Sequence, residues 1–252
     1  HSHLAYPQFN YQTPIYWYAR KKINKYCSHR FACSKEAAEW LYSKEHASDA
    51  IIFNNAIPLD KFIYNEEIRL RTRENLSVND KIVFGHVGRF NPSKNHQFLL
   101  NVFHEVYKIN PNAHLILVGD GNEKSKLISI TKKLHLEKNV SFLGVRDDVA
   151  DIVQAMDVFV FPSLFEALPV TLVEAQAASI PIIASDTLSK DICFTDLVDF
   201  VSLNQPAELW AKRALTHSVE NVRKNRYEDV TASGYDAKEN AKWLKNFYFD
   251  II

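Results

Sequence analysis

Between residues 81 and 203 the chain repeats one pattern: a short, almost continuous apolar run followed by a stretch of helical periodicity. The runs are KIVFGHVG (81–88), HLILVGDG (114–121), VSFLG (140–144), DVFVFPS (157–163), SIPIIASD (179–186) and DFVSL (199–203). Strands that are apolar at nearly every position, rather than at every second one, are buried on both faces, and that is the signature of a parallel sheet. The intervening stretches supply the covering helices. After the first run, Phe98, Leu99, Val102, Phe103, Val106 and Ile109 fall on one helical face. A polar helix near 122–134, a short one over 147–154 and one opening near Pro169 complete the alternation. Right-handed crossovers then predict an α/β fold, a doubly wound, Rossmann-like sheet.

The flanks read differently. Residues 14–26 place Ile15, Tyr18, Lys22 and Tyr26 in helical register, HRFACS reads as a short strand, and Ser34 is a plausible N-cap for a helix over 35–44. The C-terminal stretch puts Ala237, Ala241, Leu244, Tyr248 and Ile251 on one stripe. Neither flank is long enough for a second complete domain. The chain opens on His1 and its single methionine is Met156, which reads as a segment of a longer protein.

Global charge excludes little and promises little. Lys+Arg and Asp+Glu number 30 each, so nothing points to nucleic acid or an acidic partner, and any anion site must be local. Cys27, Cys33 and Cys193 are scattered, as expected of reduced thiols in a cytoplasmic setting. No stretch approaches the roughly 18 apolar residues of a membrane span.

Ligands of a doubly wound sheet bind outside the carboxyl ends of its strands, and four segments lie there. In GHVGRFNPSKNH, Gly88 permits close backbone approach, while Arg89 and Lys94 bring two cations beside a helix start, an arrangement suited to an anion. A solvated basic loop is the competing reading. VGDGNEKSKL lacks the GxGxxG fingerprint and reads first as a turn capped by Asn122. In FLGVRDD, Gly144 leaves room for the Val145 backbone and the Arg146 side chain to meet a planar base. The fourth, FPSLFEALPVTLVEAQA, carries Glu166 on the loop and Glu174 one to two turns into a helix that Pro169 suits as an opening residue. The N–H groups of Leu168 and Val170 face the same space. Carboxylates in so apolar a setting need a partner, and as acceptors they suit vicinal hydroxyls. Cations for a diphosphate and acids for hydroxyls together describe a nucleotide-sugar pocket.

These pieces resemble the retaining glycosyltransferases of family 4, which have the GT-B architecture and include the bacterial polysaccharide-assembly enzymes. The resemblance runs from about Cys33 to the C-terminus. It rests on CSKEAAEWLY, NNAIPLDKF, VGRFNPSKNH, LILVGDG, VSFLGVRDD and FPSLFEALPVTLVEAQAASIPIIASD, above all on the E-x7-E pair Glu166/Glu174 beside the G-R-x4-K of Gly88, Arg89 and Lys94. It implies a remnant of the N-terminal acceptor domain over 1–60, a donor-binding domain over 61–232, and a C-terminal helix, 233–252, crossing back toward the missing half. By the same resemblance Arg89 and Lys94 hold the donor diphosphate, Glu166 contacts the donor sugar, and Glu174 the ribose. The N–H groups of Leu168 and Val170 meet sugar or phosphate, and the Gly144–Val145 loop meets the base. Many members carry Phe-Gly where this chain has Leu168-Pro169, so one N–H donor is absent. His1-Ser2-His3 resembles a strand end where members place a catalytic-site His, which points to His1 or His3.

The implied reaction moves a sugar from a nucleoside diphosphate, UDP-linked, to an acceptor hydroxyl with retention. It takes no cofactor and no metal, since fixed cations replace the ion. The acceptor is a lipid-linked saccharide or glycan, and the full-length protein is expected in the cytoplasm at the inner face of the membrane. A GT-B epimerase, a nucleotide-sugar binding module without activity, and a non-enzymatic interaction domain stay open as alternatives.

Overall fold

A computed structural model describes residues 13–166, 168–220 and 222–251. The chain divides into two compact units. One is Pro58–Ser233, and the other joins the residues before Pro58 to those from Gly234 onward.

The larger unit contains the α/β sheet. Its six strands are β1 (Ile82–Val87), β2 (Ala113–Val118), β3 (Val140–Gly144), β4 (Val158–Phe161), β5 (Ile182–Ser185) and β6 (Val198–Val201). All neighbours pair in parallel, in the spatial order β3-β2-β1-β4-β5-β6. The order reverses between β1 and β4, and a ligand crevice opens at such a reversal, outside the carboxyl ends. Every residue of β4 and β5 is buried, as the unbroken apolar runs require. The longer helices of this unit are α1 (Glu66–Asn75), α2 (His96–Ile109), α3 (Lys124–Lys133), α4 (Val149–Ala155), α5 (Val170–Ala177) and α6 (Ala207–Glu220), with short helices over Leu59–Phe62 and Tyr227–Ala232.

The predicted face of α2 is the one that packs: Leu99, Val102, Phe103 and Val106 are in the core with Phe84, Leu115 and Val160, and Phe98 lies against it. Ile109 is the exception, exposed as the last residue of the helix. Helix α6 lies against α2, with the Phe98 and Trp210 rings edge to face at 5.4 Å. Helix α1 packs on α4 by polar means. Arg69 donates to the carbonyls of Gln154 (2.9 Å) and Met156 (3.1 Å), Arg73 to that of Ala155 (2.8 Å), and both pair with Asp157. These guanidiniums take up carbonyls that the end of α4 would leave orphaned. Asp157 also accepts the N–H of Val83 at 2.7 Å, which pins β1 to the start of β4 at the edge away from the crevice.

In the smaller unit Ser34 caps the helix Lys35–Tyr42 as expected, its hydroxyl accepting the N–H of Ala37 at 3.1 Å. The helix stops short of residue 44 because Ser43 turns to φ 69. HRFACS contributes only Phe31–Ala32 as strand, paired in parallel with Ile51–Ile52. The face of the helix Thr13–Tyr26 that carries Tyr18, Lys22 and Tyr26 is the exposed one. In the C-terminal helix, Ala237–Ile251, the stripe read from sequence is divided: Ala237 and Leu244 are half-buried and Ala241 and Tyr248 exposed, while Phe247 and the exposed Trp243 stack with each other and reach Phe31. Among the described residues no helix is long and apolar enough to cross a membrane.

Candidate functional site at the strand carboxyl ends

Two glycines bring the loops after β1 and β2 together. A Cβ on Gly119 would lie 2.1 Å from the Gly88 carbonyl oxygen, and one on Gly121 would lie 2.3 Å from that of Phe90. Without side chains there, the loops exchange Gly88 N–H to Val118 O (2.9 Å), Phe90 N–H to Asp120 O (2.9 Å) and Glu123 N–H to Phe90 O (3.1 Å). VGDGNEKSKL is thus more than a turn: its glycines shape the back of the cation loop. Helix α3 begins at Lys124, so Glu123 rather than Asn122 stands at its N-cap.

The cation loop itself is tightly specified. The Asn91 side chain accepts the Lys94 N–H (3.2 Å) and the Ser93 hydroxyl (2.9 Å), closing a 3-10 turn over Pro92–Lys94. Asn95 then takes the left-handed conformation (φ 55), which Asn tolerates. Its side-chain amide donates to Pro162 O at 3.2 Å, and Leu164 N–H donates to Ser93 O at 2.8 Å. The loop after β1 is therefore fastened to the loop after β4 across the reversal point.

That fastening brings one of the predicted cations and one of the predicted acids into contact. Lys94 Nζ lies 2.8 Å from Glu166 Oε1, with the two side chains only 14% and 16% exposed. The ammonium also sits 4.8 Å from the centre of the Phe161 ring, a cation–π distance. The ion pair is off the hydrogen-bond direction, and Oε1 is buried with no other partner. Arg89 is exposed, and among the described residues its side chain has no ion-pair partner.

Beneath Lys94 lies a feature that spacing did not reveal. His86, on β1, and His96, the first residue of α2, are both fully buried, with ring centroids 4.7 Å apart and edge to face. His86 Nδ1 is 2.8 Å from Val160 O; only a protonated Nδ1 can donate to a carbonyl, so Nε2 carries the lone pair. That Nε2 and both nitrogens of His96 are buried without hydrogen-bond partners among the described residues. Burial, then His96, holds the His86 imidazole well below the ordinary range despite the Val160 bond. Burial, reinforced by Lys94, brings His96 down to about 4. Both rings are neutral at pH 7.

Helix α5 starts at Val170, one residue later than the reading of Pro169 as an opening helical residue. Pro169 stands at the N-cap with φ −78 and no side-chain cap, and its carbonyl accepts Leu172 N–H at 2.9 Å. The N–H groups of a helix's first turn have no acceptor within the helix, so the start of α5 presents donors beside Leu168 at the strand carboxyl ends. Glu174 lies one turn in. Burial alone raises its carboxyl to about 7, and no hydrogen bond or ion pair of that carboxylate appears among the described residues. The two acids thus differ: Glu166 has a cation and Glu174 has none.

The third segment splits. Gly144 is at φ 71 with nothing within 4 Å of where a Cβ would sit, its carbonyl accepts Gly119 N–H at 2.8 Å, and Val145 is 79% exposed. Space remains there for a ligand. The Arg146 side chain, in contrast, is engaged by Asp148 through two hydrogen bonds of 2.7 and 2.6 Å. His1 and His3 lie outside the described residues. The structure thus joins Lys94 to Glu166 directly and places Gly88, Arg89, Gly144, Val145, Leu168, Val170 and Glu174 on loops and a helix start at the same edge of one sheet.

The chain matches the family model described as Glycosyl transferases group 1 over residues 68–201. EpsF of Bacillus subtilis (strain 168), named as a glycosyltransferase, is 31% identical over 223 residues, 86% of this chain and 58% of its own length. The UDP-Gal:alpha-D-GlcNAc-diphosphoundecaprenol alpha-1,3-galactosyltransferase of Escherichia coli is 26% identical over 90% of this chain and 61% of its own. The chain therefore spans about three-fifths of these curated relatives. Among solved structures, Anabaena Alr3699/HepE in complex with UDP and glucose superposes with a TM-score of 0.79 at 20% identity, covering 98% of this chain and 70% of that one. At that identity the likeness speaks to the fold alone, and it is the fold described above: the C-terminal, Rossmann-like half of a GT-B protein.

Proposed function

This chain belongs to the glycosyl transferases group 1, and from that premise we propose that its larger unit is the donor site of a retaining hexosyltransferase. The donor is a nucleoside-diphosphate sugar, UDP-linked, and the acceptor hydroxyl belongs to a lipid-linked saccharide or glycan of the cell surface. The full-length protein works in the cytoplasm, at the inner face of the membrane. Residues 1–60 and 233–252 are assigned to the acceptor side. The E. coli relative is named for a UDP-galactose donor and a diphosphoundecaprenol-linked acceptor, and the HepE crystals hold UDP and glucose. Both agree with this choice of chemistry.

One observation carries the reading: the half-buried contact between Lys94 Nζ and Glu166 Oε1 at the point where the strand order reverses. A cation suited to phosphate and an acid suited to sugar hydroxyls share one crevice there. In the proposed reaction, charge grows on the departing diphosphate and on an oxocarbenium-like sugar. Arg89, Lys94 and the N–H groups at the start of α5 stabilise the former, each well-placed donor contributing on the order of 3–4 kcal/mol. Glu166 orients the sugar through its hydroxyls, Glu174 accepts from the ribose, and the Gly144–Val145 backbone faces the base, with Arg146 held back by Asp148. No metal ion enters the scheme, because the fixed cations meet the diphosphate.

Calorimetric titration with UDP, ADP and GDP tests the reading. Micromolar-to-millimolar binding of one of them, weakened about 10- to 100-fold in Lys94→Ala, is expected. Undiminished affinity in that variant removes the diphosphate assignment, and donor turnover without any acceptor favours an epimerase instead.

A further inference from the structure

We propose that the Lys94–Glu166 ion pair is a built-in competitor of the diphosphate, one that discriminates a nucleotide still carrying its sugar from the nucleotide left after transfer. The inference rests on the donor-site reading above.

Lys94 has a single ammonium, and Glu166 Oε1 holds it at 2.8 Å. A diphosphate entering beside Lys94 must take that ammonium over or share it. If Lys94 turns away, Oε1 is left buried without its counter-charge, and no hydrogen bond to it is present among the described residues to make up the loss. A buried acceptor stripped of its partner is strongly unfavourable, and more so when it is charged. The cation is therefore only partly available to a bare diphosphate.

A sugar hydroxyl changes the balance. Donating to Glu166, it satisfies the orphaned oxygen and leaves Lys94 free to turn its charge on the phosphates. Once the sugar has moved to the acceptor, that hydroxyl is gone, Oε1 again lacks a donor, and the carboxylate reclaims Lys94. The spent nucleoside diphosphate then loses part of its grip. Arg89, exposed and without an ion-pair partner among the described residues, stays outside this exchange and meets the anion in either state. The device needs no moving domain, only one ammonium passing between a carboxylate and a phosphate, with Lys94 and Glu166 on loops that hydrogen bonds hold together.

The test is a double-mutant cycle read by calorimetry at pH 7.5 on the whole chain, with UDP, ADP and GDP as probes. Glu166→Gln keeps the shape and removes the claim on Lys94, so the nucleoside diphosphate that binds should do so about tenfold more tightly, equivalent to about 1.4 kcal/mol. In a Lys94→Met background the same Glu166→Gln change should alter affinity less than about twofold, since the contested cation is gone. Glu174→Gln removes the same formal charge from the crevice without touching Lys94, and should not tighten binding. A Glu166→Gln protein that binds the diphosphate no better, or a gain that persists in the Lys94→Met background, overturns the proposal while leaving the donor site standing. Absence of binding by all three probes to the parent protein overturns both.

Discussion

Replacing Glu174 by Gln should stabilise the protein in the absence of nucleotide, and only above about pH 4.5, where the unfolded carboxyl ionises. In the folded chain burial lifts that carboxyl from an ordinary 4.5 to about 7. An acid whose folded value is raised contributes its stability below the unfolded value and loses it as pH climbs through the folded one. The loss thus runs between about pH 4.5 and 7 and is complete at pH 8. The interval corresponds to about 3 kcal/mol, and some solvent still reaches the group, so about 2–3 kcal/mol is the reasonable expectation. A neutral amide of the same shape avoids this cost. For a chain of this size the gain translates into a rise of about 5–10 °C in melting temperature. Thermal unfolding followed by circular dichroism, parent against Glu174→Gln, should give that difference at pH 8 and almost none at pH 4.5. Equal melting temperatures at pH 8, or the same gain at both pH values, would refute the account of Glu174 as a buried, unpartnered carboxyl. A second readout bears on its role: ribose hydroxyls donating to Glu174 favour the ionised form, so nucleotide binding at pH 7 should release up to about half a proton.

Acidification probes the paired imidazoles. His96 sits at about 4 in the folded chain, so the unfolded state alone binds that proton between about pH 6.5 and 4, and stability falls as pH drops through this window by about 3 kcal/mol; His96→Phe should flatten that limb of a pH–stability curve measured by urea unfolding, and an unchanged slope would count against it. Lys94→Ala should weaken nucleoside diphosphate binding by about 10- to 100-fold, the range of charged hydrogen bonds, yet leave the free nucleoside within about twofold; equal losses for both ligands would contradict a phosphate role. Gly121→Ala, whose Cβ would meet the Phe90 carbonyl at 2.3 Å, should lower stability by about 3 kcal/mol or more. Gly144→Ala has open space and should cost only the left-handed backbone conformation, about 1–2 kcal/mol; chemical denaturation of the two variants side by side distinguishes them.

The sheet was legible because burial on both faces leaves a mark that needs no tertiary information: unbroken apolar runs of strand length. Helix α2 was legible for the same reason, its wide apolar stripe matching the period. Helix α1 escaped because its sequence, EEIRLRTREN, packs through Arg69 and Arg73 on carbonyls and Asp157, and polar packing leaves no hydrophobic period. Helix α6 also went unread, although Trp210, Ala211 and Ala214 carry a recognisable face. At the site, residue types and spacing were enough to single out Glu166, Glu174, Arg89 and Lys94. They did not show that one acid is paired and the other solitary, since that depends on a contact between distant loops. The His86–His96 stack was hidden for a related reason: it forms only because the end of β1 and the start of α2 converge. The Arg146–Asp148 clamp, two residues apart, was within reach of sequence reasoning, because an exposed guanidinium finds a neighbouring carboxylate first.

The hydrogen bond from Leu164 N–H to Ser93 O has a consequence for how such a protein diversifies. It joins main chain to main chain, so the gap between the two arms of the crevice is gauged by atoms that every amino acid but proline possesses. The exposed Leu164 side chain is therefore free to vary while the gauge stays constant. Proline at position 164 deletes the donor, and it is the substitution that such a lineage should avoid.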